Sequence, residues 1–309
     1  MVALVATSVV RGARQGESHG GLYIVDFEQE TVEQQLDWDR MDIDWAGRGW
    51  DRGLRGIAFG PVVSAPEEVY VAASDELFVY APDFSLKASY RNPYLRHCHE
   101  ISVRDGMIFL TSTGFDAILG FSLADKAFTW GLSLSAEAGG VRVATFDPRG
   151  DKGPGASNRL HLNSVTARPD GLFFAGLRTP GLLRFDGRAV DLVCSLPEGS
   201  HNAQPFREGV LLNDTAADMV RYVTPSRQRT FRVPQADPAT LTHMEYADGA
   251  VARADFARGL CPVSQTLIAG GSSPSTIALH DLEENRTPRF VTLSHDVRNA
   301  IHGLAVWPF

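Results

Sequence analysis

Residues 99–134 decide the fold: HEISVRDG (99–106), MIFLTSTG (107–114), AILGFSL (117–123) and FTWGLSL (128–134). Each run is apolar and too short for a stable helix, and the breaks between runs carry Gly or Asp, residues that suit tight turns. Four such strands in succession make one blade of a β-propeller.

The same order recurs outward in both directions. From Arg55 it reads RGIAFG, EVYVAAS, ELFVYAP and LKASYRN. From Asn163 it reads NSVTARPDG, LFFAGL, GLLRFDG and AVDLVCSL. From Asn202 it reads NAQPFREG, VLLNDT, DMVRYV and QRTFRVP. From Arg258 it reads RGLCPVS, QTLIAGG, TIALHDL and RFVTLSH. A sixth start, HGLAVWPF from His302, has no strands after it, but VALVATSVVRG, GGLYIVDFE and TVEQQLDW stand at the other terminus. The expectation is an all-β, six-bladed β-propeller over 1–309 as a single domain. Its last blade combines the C-terminal strand with the N-terminal strands, which removes exposed sheet edges. Six units share 309 residues, about 51 each, a typical blade repeat. A β-sandwich, or two smaller β domains, predicts neither a common start to every unit nor complementary termini. The longer stretches 136–160 and 234–257 read as loops over one face.

A net charge of −8 leaves no basic footprint for nucleic acid and no polybasic membrane patch. The apolar opening MVALVATSVV lacks a positive start, with Arg11 and Arg14 behind it, so it reads as a strand rather than a signal peptide. No apolar run is long enough for a transmembrane helix. Three scattered cysteines, Cys98, Cys194 and Cys261, argue against a disulfide framework and for a reducing cytoplasm. Cys98 stands out because two histidines flank it. Trp38, Trp45, Trp50, Trp130 and Trp307 read as staples between blades more readily than as platforms for sugars.

In a blade the first strand lines the channel, and the six starts align as Arg55, His99, Asn163, Asn202, Arg258 and His302. Every one is polar, and in five the next residue is small. Strand alternation adds the residues two places earlier, among them His97 and His161. His201 joins if the register of that unit shifts by one, so five of the nine histidines fall at these starts. Neutral imidazole is a common metal ligand, and His99, His161 and His302 are the expected ligands of a divalent transition metal such as Fe, Zn or Mn. His97 and His201 are candidates for a fourth ligand or for acid–base work. Glu100 is a candidate catalytic group, or a partner that orients an imidazole. Arg55 and Arg258 suit an anionic ligand, since a guanidinium grips carboxylate or phosphate through two parallel bonds. Asn163 and Asn202 could orient that ligand. The competing structural roles are channel histidines bonded to neighbouring strands and arginines paired with Asp51, Asp255 or Glu100.

With HLNSVTARPDGLFFAGL, HNAQPFREGVLLND, RGLCPVSQTLIAGGSS and IHGLAVWPF in view, the chain resembles the six-bladed propeller superfamily of gluconolactonase-like and strictosidine-synthase-like architecture. It is most similar to bacterial propellers without an assigned function that carry a His-Leu-Asn-Gly-like motif, here His161-Leu162-Asn163-Ser164, and the resemblance spans most of 55–309. Gluconolactonase-type propellers bind a divalent metal through an early Glu with Asn and Asp. Asn163 and Asp214 match that set, but the Pro-Glu-Gly-Pro opening that supplies the Glu is missing. Carotenoid-oxygenase-like propellers hold iron with four histidines on seven blades. The expected function is a metal-dependent enzyme acting on a small anionic metabolite in the channel, with lyase, hydrolase and oxygenase chemistry all open. The alternatives are a non-catalytic propeller that binds a ligand or a protein, and a metal-independent enzyme with His as acid–base.

Overall fold

A computed structural model describes residues 3–14, 16–38, 53–62, 65–138, 140–247 and 253–309; Asp51, Trp45 and Trp50 lie outside them. The described residues are all-β. Their six antiparallel sheets are the six blades of a β-propeller, and the helical content among them is a single 3₁₀ turn, Met244–Tyr246. No helix among them is long and apolar enough to cross a membrane. Contacts divide the chain into two compact units, Met1–Arg55 with Phe206–Phe309, and Gly56–Pro205.

The first unit contains the mixed blade. Asn299–Val306 pairs antiparallel with Ala3–Val10 in a register running from Val10 opposite Asn299 to Leu4 opposite Val306. Gly21–Asp26 and Thr31–Asp37 continue the sheet outward. Alternation places Leu4, Ala6 and Val25 of this blade against Ala269 and Ile277 of the preceding one, with Ile301 between. Burying each branched side chain contributes about 1.5–3 kcal/mol. The terminal strands are therefore held by core packing as well as by their hydrogen bonds.

In the second unit the first blade occupies 57–91, the second 101–146 and the third 162–195, and Ser200–Phe206 leads out of the unit. One core joins Tyr70, Leu77 and Val79 to Leu110, Leu119 and Phe121. Another joins Ile118 and Leu132 to Leu162, Phe174 and Leu183. Cys98 is fully buried in the first of these cores, where its thiol donates to the Glu100 carbonyl at 3.6 Å.

The stretch 136–160 departs from the loop expected of it. Ala127–Glu137 and Gly140–Phe146 form a long hairpin, so the second blade has five strands. The alternation Val141, Val143, Thr145 pairs with Leu134, Leu132 and neighbouring residues of the preceding strand, and a single partner edge suffices for it. The Gly and Pro content of the stretch had masked that period. Residues 147–160 then return over the blade, held where the Tyr94 hydroxyl donates to the Gly150 carbonyl (3.2 Å) and accepts from the Gly153 amide (2.9 Å).

Candidate functional site

Three of the six polar starts, His99, Asn163 and Asn202, belong to the second unit. His99, 8% exposed, precedes the strand Ile101–Arg104. The buried Thr111 hydroxyl accepts from the His99 and Glu100 amides at 2.9 and 3.1 Å, which holds this segment without regular strand pairing. The His99 ring is oriented as firmly. Its Nδ1 lies 2.8 Å from the His97 carbonyl and 2.9 Å from Thr113 Oγ1. A carbonyl only accepts, and Thr113 spends its own proton on the Leu162 carbonyl, so Nδ1 carries the hydrogen. Nε2 is then the acceptor nitrogen, the form that serves as base or ligand.

His201 repeats the device: its Nδ1 donates to the Gly199 carbonyl at 3.1 Å. Two residues before Arg55, His99, Asn163 and His201 stand Gly53, His97, His161 and Gly199, all with positive φ (94°, 55°, 53° and 81°). By this pattern His201 aligns with Arg55, His99 and Asn163, the one-residue shift of register allowed for that unit, and Asn202 itself has a φ of 53°. Left-handed backbone at His97 and His161 stores strain, and such strain gathers at functional sites.

His161 faces His99, with ring centroids 5.4 Å apart and planes at 67°. Its Nδ1 meets Asn158 Oδ1 at 2.9 Å. Its backbone is set by Asp116, 1% exposed, whose carboxylate accepts from Ser157 Oγ (2.6 Å) and from the amides of Arg159 (2.6 Å), Leu160 (3.1 Å) and His161 (2.9 Å). The two imidazoles thus come from separate blades, one oriented by Thr113 and the other carried on a segment gripped by Asp116. His97 approaches Ser74 Oγ through its Nδ1 at 3.4 Å.

Glu100 laces inner strands together. It accepts the Val165 amide at 3.3 Å and the side-chain amide of Asn202. Gly56 permits the close approach on its other side, since a Cβ there would stand 2.6 Å from the Ile101 nitrogen. Asn163, 1% exposed, donates through Nδ2 to the Ser200 carbonyl at 3.0 Å. That bond fixes the amide orientation and leaves its buried Oδ1 without a donor among the described residues.

Arg55, Arg258 and His302 belong to the first unit and are all buried there. The Gly303 amide donates to Thr7 Oγ1 at 2.8 Å, and that hydroxyl donates to the Arg55 carbonyl, so the segments of His302 and Arg55 run side by side. The Arg258 guanidinium lies 5.8 Å from the Phe256 ring centroid, with those of Arg11 (5.1 Å) and Arg253 (5.4 Å) around the same ring. Arg253 is paired with Asp218 at 2.8 Å. Asp214 forms an ion pair with Arg221 at 2.8 Å, and Asn213 donates to the Gly259 carbonyl at 3.1 Å.

Of the three ligands expected for a metal, His99 and His161 are brought together within the second unit and His302 belongs to the first. Among the described residues no three His, Cys, Asp or Glu side chains gather as a metal centre. Thr111, Thr113 and Asp116 went unread in the sequence. TSTGFD looks like an ordinary strand end, and the signal that could have found them is its dense hydroxyl and carboxylate content beside HCHE.

A scan against protein-family models finds no match, and a search of curated proteins finds none either. Among solved structures, a chain from the crystal structure of a nidogen/laminin complex is similar over 98% of this chain and 97% of that one, at 12% identity and a TM-score of 0.58. Apo AztD from Citrobacter koseri is similar over 95% and 82% of the two chains, at 11% identity and a TM-score of 0.48, too slight to carry an argument. The first likeness supports the fold alone.

Proposed function

We propose that the protein is an enzyme of small-molecule metabolism that moves a proton with His99 and His161, without need of a metal. The observation that carries this reading is the oriented imidazole pair. His99 is held with Nδ1 protonated, so Nε2 is the base, and His161 stands ring to ring with it as the partner that accepts or returns the proton. The buried acceptor Asn163 Oδ1 suits a ligand hydroxyl or amide. The ligand class remains a small anion. A metal-dependent reaction is the second reading. It is favoured by the Nδ1-to-carbonyl bonds of His99 and His201, which are the second-sphere arrangement of metal-bound histidine.

One experiment separates them. Protein purified without a histidine tag is assayed for metal content and incubated with a panel of small carboxylates, phosphates and lactones, with turnover followed by proton NMR. Metal-free turnover that drops about 10²–10⁴-fold in H99Q and H161Q supports acid–base catalysis. About one equivalent of transition metal, lost in H99Q, moves the assignment to the metal reading. Panel members that raise Tm without being consumed point to a binding propeller.

A further inference from the structure

The second unit has a cavity of about 540 Å³ between its second and third blades, at the far end of the strand Ile101–Arg104 from His99. Met107, Phe109, Trp130, Leu172 and Phe185 form its apolar walls, and Arg168 lines it beside them. Phe109 meets Trp130 edge to face at 5.8 Å and 87°, and Trp130 lies 6.4 Å from Phe185, so the walls are a connected aromatic cluster. Trp130 thus joins the second blade to the third, as a staple would, and lines the cavity.

The charges around this cavity differ in how they are matched. Asp105 is paired with Arg104 at 2.8 Å, and Asp170 lies 3.9 Å from Arg184. Asp186 accepts the amides of Arg188 and Ala189, both at 2.8 Å, inside its own turn. Arg168 is half-buried and makes no hydrogen bond or ion pair among the described residues. A guanidinium with unused donors, set against aromatic walls and partly removed from water, matches a ligand with a carboxylate at one end and a flat apolar body behind it. The volume falls in the range of small-molecule sites.

We propose that this cavity is a binding site for a small aromatic carboxylate, with Arg168 holding the carboxylate and the Phe109–Trp130–Phe185 cluster receiving the ring. The site is separate from the histidine pair and does not depend on the function assigned to it.

The test is a fluorine-19 NMR titration of the full chain with 4-(trifluoromethyl)phenylacetate and, in parallel, its neutral amide. The acid is expected to bind at least tenfold more tightly than the amide. R168Q should weaken the acid about tenfold and leave the amide unchanged, and R104Q should weaken the acid less than threefold. Equal binding of acid and amide by the wild-type chain overturns the proposal without any variant, as does failure of the acid to bind. Full affinity in an R168Q protein whose Tm is unchanged overturns it as well.

Discussion

His99 and His161 stand with their rings 5.4 Å apart, and each has a support of its own: Thr113 orients the first, while Asp116 grips the backbone of the second. The pair can therefore be dismantled one side at a time.

Replacing Thr113 with Val keeps the shape and removes the hydroxyl. The Leu162 carbonyl loses its donor, and the variant should be destabilised by about 1–3 kcal/mol. Nitrogen-15 NMR of the imidazoles should show His99 as the Nδ1–H tautomer in the wild type and still in T113V, because the His97 carbonyl keeps accepting from Nδ1. A wild-type His99 that is mainly the Nε2–H tautomer contradicts the orientation argued above.

Asp116→Asn exchanges two acceptor oxygens for one acceptor and one donor against four donors. A loss of about 2–4 kcal/mol is expected from the charge-assisted bonds and the clash of donors. Hydrogen exchange should rise first at the amides of Arg159, Leu160 and His161. Protection lost uniformly over the chain would show that Asp116 is merely a core residue.

Gly56→Ala drives a methyl to within 2.6 Å of the Ile101 nitrogen and should cost about 1–3 kcal/mol in urea unfolding. Gly140→Ala, at a position with open space around its Cβ, is the control and should stay within about 0.5 kcal/mol of the wild type. Equal urea midpoints for the two variants would mean that the inner strands do not pack as closely as described.

Acid should act through His280 before it acts through carboxylates. Its ring stacks on Phe231 at 4.8 Å, and burial pushes its pKa down from 6.5 to about 4. The folded state resists the proton that the unfolded chain takes up, so stability is full above pH 6.5 and falls as pH drops towards 4. The loss is about 2 kcal/mol by pH 5. His280→Leu should flatten Tm between pH 6.5 and 5. Glu68 acts lower: burial raises its pKa, but bonds from Lys87, Tyr70 and Lys126 outweigh that and hold it at about 2. Its contribution is present above pH 4.5 and disappears between 4.5 and 2. A wild-type Tm that holds constant from pH 7 to 5 removes the His280 argument.

The architecture was legible because strand period and turn residues are local signals. The four runs of 99–134 name a blade, and the unmatched HGLAVWPF asks for partners that VALVATSVVRG supplies. The small residues after the ring positions were equally legible, although their purpose, the passage of the neighbouring strand across Gly56 and Gly303, needed coordinates. The register of the fourth start was less legible, because left-handed backbone occurs there at both Gly199 (φ 81°) and Asn202 (φ 53°), and the second of these is not announced by residue type.

What the sequence determined alone is the all-β class, the six blades, the blade shared between the termini and the polar character of every blade start. These follow from hydrophobic alternation and turn chemistry, which act over a few residues. Only the tertiary structure decided which polar residues meet: His99 with His161, Asp116 with the segment before His161, and Glu100 with Asn202 rather than with a ligand alone. Those partners come from different strands or blades, and their distances depend on how sheets pack, which no local pattern encodes.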